Sequence, residues 1–320
     1  MEAVDIKLKQ FLHDKFKERF LKCLWPGNDC NKRAIRAHSI QNKKVIDSIS
    51  NNGHVIMPNI KIDFKSGPEI HFKLIGKNRA TTFTGLCAYH DNYLFKDIDD
   101  NEIDLSDERH LFLLAYRSVL KETHTSLKVA RDVQTSYLKA IELGKFSPDE
   151  INDPMIFATL KLEQARQIFL YKLHYDIIYA EENWSRISHN IICFNCHIPV
   201  LAASSVFSCD AYSDVTDGLA YVVFNVFPQD KQLIVIFSFL NEHEIESMKY
   251  YIHLKEASEY YLKYEISKLI LKKCENFVLS PKVWGNFSSE KQELMLKYFK
   301  STILDPDFDL DDEKLCFFCK

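Results

Sequence analysis

Two pairs of potential metal ligands near the N-terminus constrain this chain more than any other feature. Cys23 and Cys30 flank a turn-forming stretch that contains Pro26-Gly27-Asn28, and Cys87 and His90 are separated by two residues. Zinc sites close on four thiolate or imidazole ligands, and short loops position such ligands in pairs. We therefore predict a structural Zn²⁺ held by Cys23, Cys30, Cys87 and His90. The alternative is two packed cysteines and two unrelated surface groups.

Two further Cys-x2-Cys pairs, Cys193/Cys196 and Cys316/Cys319, would suffice in number for a second zinc site. The first pair leads into an apolar segment, where cysteine often packs as a small hydrophobic residue. The second pair occupies the last residues of the chain, and such residues tend to fray. Neither pair has the βαβ context of a thioredoxin-like motif, so the sequence favours redox exchange even less than a second zinc site.

Composition indicates a globular protein that can bury a sizeable core. Hydrophobic residues make up 46% and aromatic residues 13%, while Gly and Pro number only 8 and 9. No apolar run is long enough to span a membrane, and residues 1–20 lack the apolar stretch of a signal peptide. We expect no membrane contact, a cytoplasmic location and reduced thiols. The nine cysteines then favour metal binding, packing or catalysis over a disulfide framework.

Hydrophobic periodicity divides the chain into helical and strand regions. Apolar residues recur at helical spacing over 106–143 and 153–179, which predicts a hairpin of two long helices. Apolar, β-branched segments at 197–207, 218–227 and 231–240 predict strands, with the last two forming a β-hairpin. The prediction is an α+β protein with three domains: a zinc-stapled ββα-type module at 1–100, a helical hairpin at 101–185, and a C-terminal mixed antiparallel sheet with helices at 186–320.

A short predicted strand with a histidine, Ile35-Arg36-Ala37-His38-Ser39-Ile40, lies between the two ligand pairs. A cysteine knuckle, this strand, a returning strand and a helix that starts at the second ligand pair follow one another over about residues 20–98. In this order the sequence resembles the zinc-bearing HNH, or His-Me finger, nucleases of treble-clef type. The resemblance implies a metal-dependent endonuclease that hydrolyses nucleic-acid phosphodiester bonds, with defence against foreign DNA as a natural role.

The same resemblance assigns catalytic roles. His38 matches the general base that activates water, a task suited to a group whose pKa lies near neutral pH. Asp91 follows the second ligand pair and matches the ligand of a catalytic Mg²⁺ or Mn²⁺. Asn78 is the nearest candidate for the residue that orients the base. Because Ala37 stands where the family usually has Asp or His, a non-catalytic zinc protein that binds nucleic acid or a partner protein is the alternative.

Charge is distributed unevenly along the chain, although the net charge is only −4. Residues 1–45 carry eleven Lys or Arg against five Asp or Glu, and residues 305–313 carry six acids and no base. We expect the acidic tail to be solvated or to shield a basic surface. The basic end favours nucleic acid, with DNA preferred, as the partner, and the C-terminal domain is a candidate surface for a homo-oligomer or a partner protein. Candidate phosphate contacts, which an ordinary solvated face would also explain, are Lys32, Arg33, Arg36, Lys43 and Lys44.

Overall fold

The structure, a computed structural model, describes residues 3–27, 29–63, 67–213, 216 and 218–319. The chain forms two units, each assembled from three stretches. The first unit contains Met1–Ala37, Phe83–Asn92 and Val119–Glu181, and the second contains His38–Thr82, Tyr93–Ser118 and Glu182–Lys320. This division differs from the predicted boundaries at residues 100 and 185, because strands from the first hundred residues belong to the same sheet as the C-terminal strands.

The helices include the two long ones that periodicity predicts. Their bounds are α1 (Ala3–Lys17), α2 (Asp47–Ile49), α3 (Ala88–Asp100), α4 (Glu108–Glu142), α5 (Asp153–Glu181), α6 (Glu244–Met248), α7 (Glu259–Lys273), α8 (Pro281–Gly285) and α9 (Ser289–Leu304). α4 and α5 lie at the positions predicted for the long helices. Within the described residues, every helix is too short or too polar to cross a lipid bilayer.

Residues 242–273, whose apolar spacing predicts one continuous helix, contain two α-helices in the structure. α6 ends at Met248, and α7 begins only at Glu259. The hydroxyl of Ser258 accepts a hydrogen bond from the backbone N–H of Tyr261, which satisfies one of the free donors at the start of α7. An N-cap therefore starts a new helix inside a segment whose apolar spacing looks continuous.

The strands of the described residues form two sheets, and the strand pairs of the larger one are antiparallel. Their bounds are β1 (Ala37–His38), β2 (His54–Asp63), β3 (Gly67–Gly76), β4 (Thr82–Phe83), β5 (Ile187–Asn195), β6 (Leu201–Ser213), β7 (Gly218–Gln229), β8 (Gln232–Leu240) and β9 (Phe277–Leu279). β1 and β4 form a two-stranded sheet, and the second unit contains a seven-stranded sheet in the order β3-β2-β9-β6-β7-β8-β5. The α+β class is therefore confirmed.

The β7–β8 hairpin confirms the strongest strand prediction. Gln229 pairs with Gln232, so Asp230 and Lys231 form a two-residue turn. Both turn residues have positive φ, 51° and 61°, as a type I′ turn requires. This turn type matches the right-handed twist of the strands, which explains why an ordinary polar pair closes the hairpin.

The short strand β9 connects the two halves of the seven-stranded sheet. Leu279 lies opposite both Ile56 of β2 and Leu201 of β6. Next to β9, the buried Asn276 amide donates to Ser39 Oγ at 2.9 Å and to the Ser204 carbonyl at 3.1 Å. A single buried side chain thus joins three separate chain segments of the second unit.

Replacing Asn276 with Ala tests this connection. We expect the Asn276→Ala variant to lose about 2 kcal/mol of unfolding free energy, since buried polar partners are left unsatisfied. Urea unfolding at constant pH measures the loss. Asn286→Ala, at an exposed position, is the matched control and should change the unfolding free energy by less than about 0.5 kcal/mol. Equal stability of both variants would contradict the connection.

Candidate metal centre

The first ligand pair lies on a tight hairpin of the first unit. Lys22 and Arg33 form an antiparallel bridge, and the Ala34 N–H donates to the Leu21 carbonyl at 2.9 Å. Gly27 lies in the turn with φ of +89°, a conformation that residues with a Cβ rarely adopt. The hairpin therefore brings Cys23 and Cys30 close together although six residues separate them.

The second pair lies where α3 begins. Cys87 precedes the helix, and His90 stands in its first turn, so the two side chains share one side of the helix start. The preceding segment is bonded to the hairpin, because the Gly85 carbonyl accepts from the Leu24 N–H at 2.8 Å. A methyl group on Gly85 would lie 2.3 Å from Cε2 of Phe83, so this close approach requires glycine.

These elements bring all four predicted ligands together. The four ligand atoms lie within 4.8 Å of one another. Cys23 Sγ is 3.4 Å and Cys87 Sγ is 3.5 Å from His90 Nδ1, and the sulfur atoms of Cys30 and Cys87 are 3.8 Å apart. A tetrahedral zinc with bonds of about 2.3 Å to sulfur and about 2.0 Å to nitrogen separates its ligands by about 3.5 to 3.8 Å. The Cys₃His cluster fits a metal ion such as zinc.

Hydrogen bonding and burial act on the thiols in opposite directions. Burial raises the pKa of the Cys23 thiol to about 11, although backbone N–H groups of Cys87 and Trp25 oppose this shift. Burial also acts to raise the pKa of Cys87, but backbone N–H groups of His90 and Tyr89 and the neighbouring thiols lower it overall. A bound cation would favour both thiolates, so metal binding displaces protons.

Aromatic rings enclose the cluster in contacts that the sequence analysis did not predict. The ring of Trp25 stacks on His90 with 4.2 Å between centroids and 8° between planes. Tyr179 of α5 lies edge-on to Trp25 at 5.9 Å. The sequence offers one signal for the first contact, since Trp25 lies between the first two ligands. The contact with α5 depends on tertiary packing and has no such signal.

A buried ion pair on α5 is the second feature missed. Lys172 Nζ lies 2.6 Å from an oxygen of Asp176, and both residues are buried. Burial lowers the pKa of Lys172, while the charges of Asp176 and of Cys23 act to raise it. The i,i+4 spacing of the pair is visible in the sequence, but its burial is not.

His38, the proposed base, belongs to the second unit and is half-buried. Its Nδ1 atom is buried without a hydrogen-bond partner. Burial lowers the pKa of the ring below its ordinary value of 6.5, and the Arg117 charge acts in the same direction. The Ala80 backbone and Asp99 act in the opposite direction. The net effect lowers the pKa and so favours the neutral form of the ring.

The other predicted site residues occupy different positions. Asp91 is half-buried in the first turn of α3 and belongs to the first unit. Asn78 is exposed in the second unit, where its side-chain oxygen accepts from the Asn42 amide at 3.3 Å. Of the basic set, Lys32, Arg33 and Arg36 are exposed in the first unit, while Lys43 is exposed and Lys44 half-buried in the second.

The remaining cysteines form no comparable cluster in the part of the chain that the structure describes. The four residues already named are the sole group there of three or more His, Cys, Asp or Glu residues that fits a metal. All nine cysteines carry free thiols. Cys193, Cys196, Cys316 and Cys319 are enough in number for a second zinc site, but the structure does not bring their four sulfur atoms together as a metal-binding group.

Comparisons with known proteins identify no relative of this chain. No family model, curated protein or solved structure matches it. The likeness to HNH nucleases accordingly rests on the order of the motifs, and the metal centre rests on the geometry of its four ligand atoms.

Removing one ligand tests the metal centre. We expect the Cys87→Ala variant to lose its zinc, from about one ion per chain to about none, because a structural site needs all four ligands. Elemental analysis after dialysis against a weak chelator measures the ratio, and thermal melting should show a lower Tm. Cys274→Ala removes a buried cysteine outside the cluster and should retain the zinc. A Cys87→Ala protein with unchanged zinc would refute the assignment.

Proposed function

We propose that the protein is a zinc-stabilised, metal-dependent endonuclease that hydrolyses nucleic-acid phosphodiester bonds, with foreign DNA as its target. The observation that carries this proposal is the cluster of Cys23, Cys30, Cys87 and His90 in the order expected from the HNH resemblance. The ligand pairs enclose the strand of His38 in sequence, and Asp91 directly follows the last ligand. A site with four protein ligands has no open position for a substrate, so its zinc serves as a scaffold.

His38 is the general base in this proposal. A base must be unprotonated to accept a proton from water, and burial keeps the His38 pKa below 6.5. Its Nδ1 atom makes no hydrogen bond within the protein. Because Nδ1 is enclosed, the proton that leaves the attacking water would have to be accepted by the lone pair of the neutral ring at its accessible edge. This chemistry needs the neutral ring that the surroundings of His38 favour.

Asp91 is the proposed oxygen ligand of a second, catalytic cation. Carboxylate oxygen suits Mg²⁺ and Mn²⁺, which prefer hard ligands. When bound, such an ion stabilises charge that develops on the phosphate and on the leaving oxygen. This role comes from the position of Asp91 directly after His90. The lysines and arginines at 32, 33, 36, 43 and 44 are proposed to contact backbone phosphates, because four of the five are exposed.

The free state of the cysteines bears on the proposed location. Every cysteine has a free thiol. Five of the nine lie in the Cys₃His cluster or in the C-terminal Cys-x2-Cys pair, where they are not joined as disulfides. Thiolate ligands persist in reducing compartments, where disulfides are rare. We place the proposed nuclease in the cytoplasm, where foreign DNA would be met.

Cleavage of nucleic acid tests the proposed function. With Mg²⁺ or Mn²⁺, the zinc-loaded protein should cut plasmid or single-stranded DNA or RNA, and His38→Ala should lower the rate by roughly 100-fold or more, as for loss of a general base. His71→Ala is the matched control, since His71 is an exposed histidine of the same unit. Equal rates for wild type and His38→Ala would eliminate His38 as the base. Asp91→Asn should raise the concentration of Mg²⁺ or Mn²⁺ that half-maximal cleavage requires, because a carboxylate ligand is lost.

The pH dependence of cleavage gives a second test. Since burial lowers the His38 pKa from 6.5, the base is neutral above that lowered value and is lost as pH falls through it. The acidic limb of log kcat/KM should therefore lie below pH 6.5, and His38→Ala should abolish that limb. Steady-state rates in buffers of constant ionic strength measure the profile. A limb above pH 7 would assign the base to another group.

A second candidate function is non-catalytic binding of nucleic acid or a partner protein through the zinc module. The observation that favours it is the environment of the catalytic candidates. Nδ1 of His38 is enclosed, and Asn78 is hydrogen-bonded to Asn42. A binder without nuclease activity would bind DNA equally well with and without His38. Its affinity would fall with rising salt and on replacement of Lys32, Arg33 and Arg36.

A further inference from the structure

The C-terminal cysteine pair forms the closest sulfur contact among the described residues. The sulfur atoms of Cys316 and Cys319 lie 2.6 Å apart, and both cysteines have free thiols. This separation is well inside the distance of ordinary non-bonded contact and outside a disulfide bond of about 2.05 Å. A small movement would therefore join the two atoms.

Neighbouring groups hold the segment that carries this pair. Lys291 of α9 is buried, and its Nζ donates to the Cys316 carbonyl at 2.7 Å and to the Cys319 carbonyl at 2.5 Å. The Phe317 N–H donates to Ser267 Oγ of α7 at 3.0 Å. Leu315 is fully buried. These contacts oppose fraying of the terminal residues, because one lysine bonds both ends of the Cys-x2-Cys turn.

The two thiols differ in access. Cys316 is fully buried, whereas Cys319 is half-buried. Cys319 lines a pocket of the second unit together with His197, Ile198, Lys263 and Phe318. Cys196 lines the same pocket but is buried, so a small molecule that enters it can reach the half-buried Cys319, which contacts the buried Cys316.

We propose that Cys316 and Cys319 form a reversible dithiol–disulfide site that exchanges with low-molecular-weight disulfides. The Cys319 thiolate attacks one sulfur of a disulfide such as oxidised glutathione, and the first glutathione thiolate leaves. The Cys316 thiolate then attacks the Cys319 sulfur of the mixed disulfide and releases the second glutathione thiolate. The two protons of the protein thiols end on the two glutathiones. The chain loses two electrons, and the oxidised glutathione gains them.

Electrostatics makes this exchange slow without preventing it. Burial raises the pKa of Cys319 to about 12, and the contact with Cys316 acts in the same direction. The cations of Lys291 on α9 and Lys263 on α7 oppose this shift. Tyr260 of α7 also interacts with both thiols. Because little thiolate is present at neutral pH, the first attack is slow, while the nearby Cys316 makes ring closure efficient.

The other Cys-x2-Cys pair provides a matched control within the same chain. Cys193 is exposed on strand β5, whereas Cys196, just past its end, is buried and donates to the Ile198 carbonyl at 3.1 Å. Residues three apart along an extended strand point to opposite sides of the sheet. The same sequence motif is thus expected to stay reduced when its sulfurs are separated.

Oxidation of the zinc-loaded full chain tests the proposal. The protein is incubated with oxidised glutathione at mildly alkaline pH, quenched in acid, and alkylated, and its cysteine peptides are analysed by mass spectrometry. We expect a Cys316–Cys319 disulfide at least about tenfold more abundant than a Cys193–Cys196 disulfide, a ratio that corresponds to about 30 mV. Excess reduced glutathione should reverse it. A reduced pair, at the level of Cys193/Cys196, overturns the proposal.

Single replacements test the order of attack. Cys316→Ala should leave Cys319 as a stable mixed disulfide with glutathione, because the second thiol is absent. Cys319→Ala should leave the buried Cys316 reduced. Zinc content and melting profile are measured on each variant to show that it is folded and that the Cys₃His cluster is intact. A second zinc ion on the wild type that both variants lose would overturn the proposal in favour of metal binding.

Discussion

The first unit depends on one constraint: the side chains of Cys23, Cys30, Cys87 and His90 must meet at one point. Cys30 and Cys87 are 57 positions apart, yet their sulfur atoms lie 3.8 Å from each other. Closing a loop of that length costs conformational entropy, which a metal bond offsets. In small zinc modules, ion binding contributes roughly 10 kcal/mol or more of apparent free energy at neutral pH. A metal ion bound by the cluster would thereby hold the hairpin of Cys23 and Cys30 and the start of α3 together.

In the proposed catalysis the zinc cluster only holds the fold, and the residues next to it in sequence would carry out the chemistry. Zinc with four protein ligands performs no chemistry, so activity would fall to His38 and Asp91. The enclosed, neutral ring of His38 is suited to accept a proton. The same enclosure also favours the alternative of a protein that only binds. Zinc content therefore tests the metal centre, and cleavage of nucleic acid tests the activity independently of it.

Local patterns predicted the parts of the structure that local forces determine. The two ligand pairs, taken separately, the two long helices and the β7–β8 hairpin each have a short-range signal in residue spacing or turn chemistry. β9 has only three residues, which is too short to show alternation, so its central place in the sheet followed only from long-range pairing.

Contacts between distant segments had no signal of this kind. The stacking of Trp25 on His90 and the closure of the Cys316–Cys319 turn by Lys291 both join residues through tertiary packing. The acidic tail is a further example. Asp309 and Asp311 are exposed, as the charge of the tail predicts, and they also accept hydrogen bonds from Tyr298 and Tyr264, which the sequence did not predict. Charge along the chain indicates solubility, but partners decide where each carboxylate lies.

X-ray absorption at the zinc edge tests the central claim most directly, since it measures the ligands around the ion in solution. A Cys₃His site predicts three sulfur atoms at about 2.3 Å and one nitrogen at about 2.0 Å in the purified protein. A shell of four sulfurs would assign a different cysteine as ligand. A shell of oxygen and nitrogen alone, or protein that is fully folded without zinc, would contradict the account.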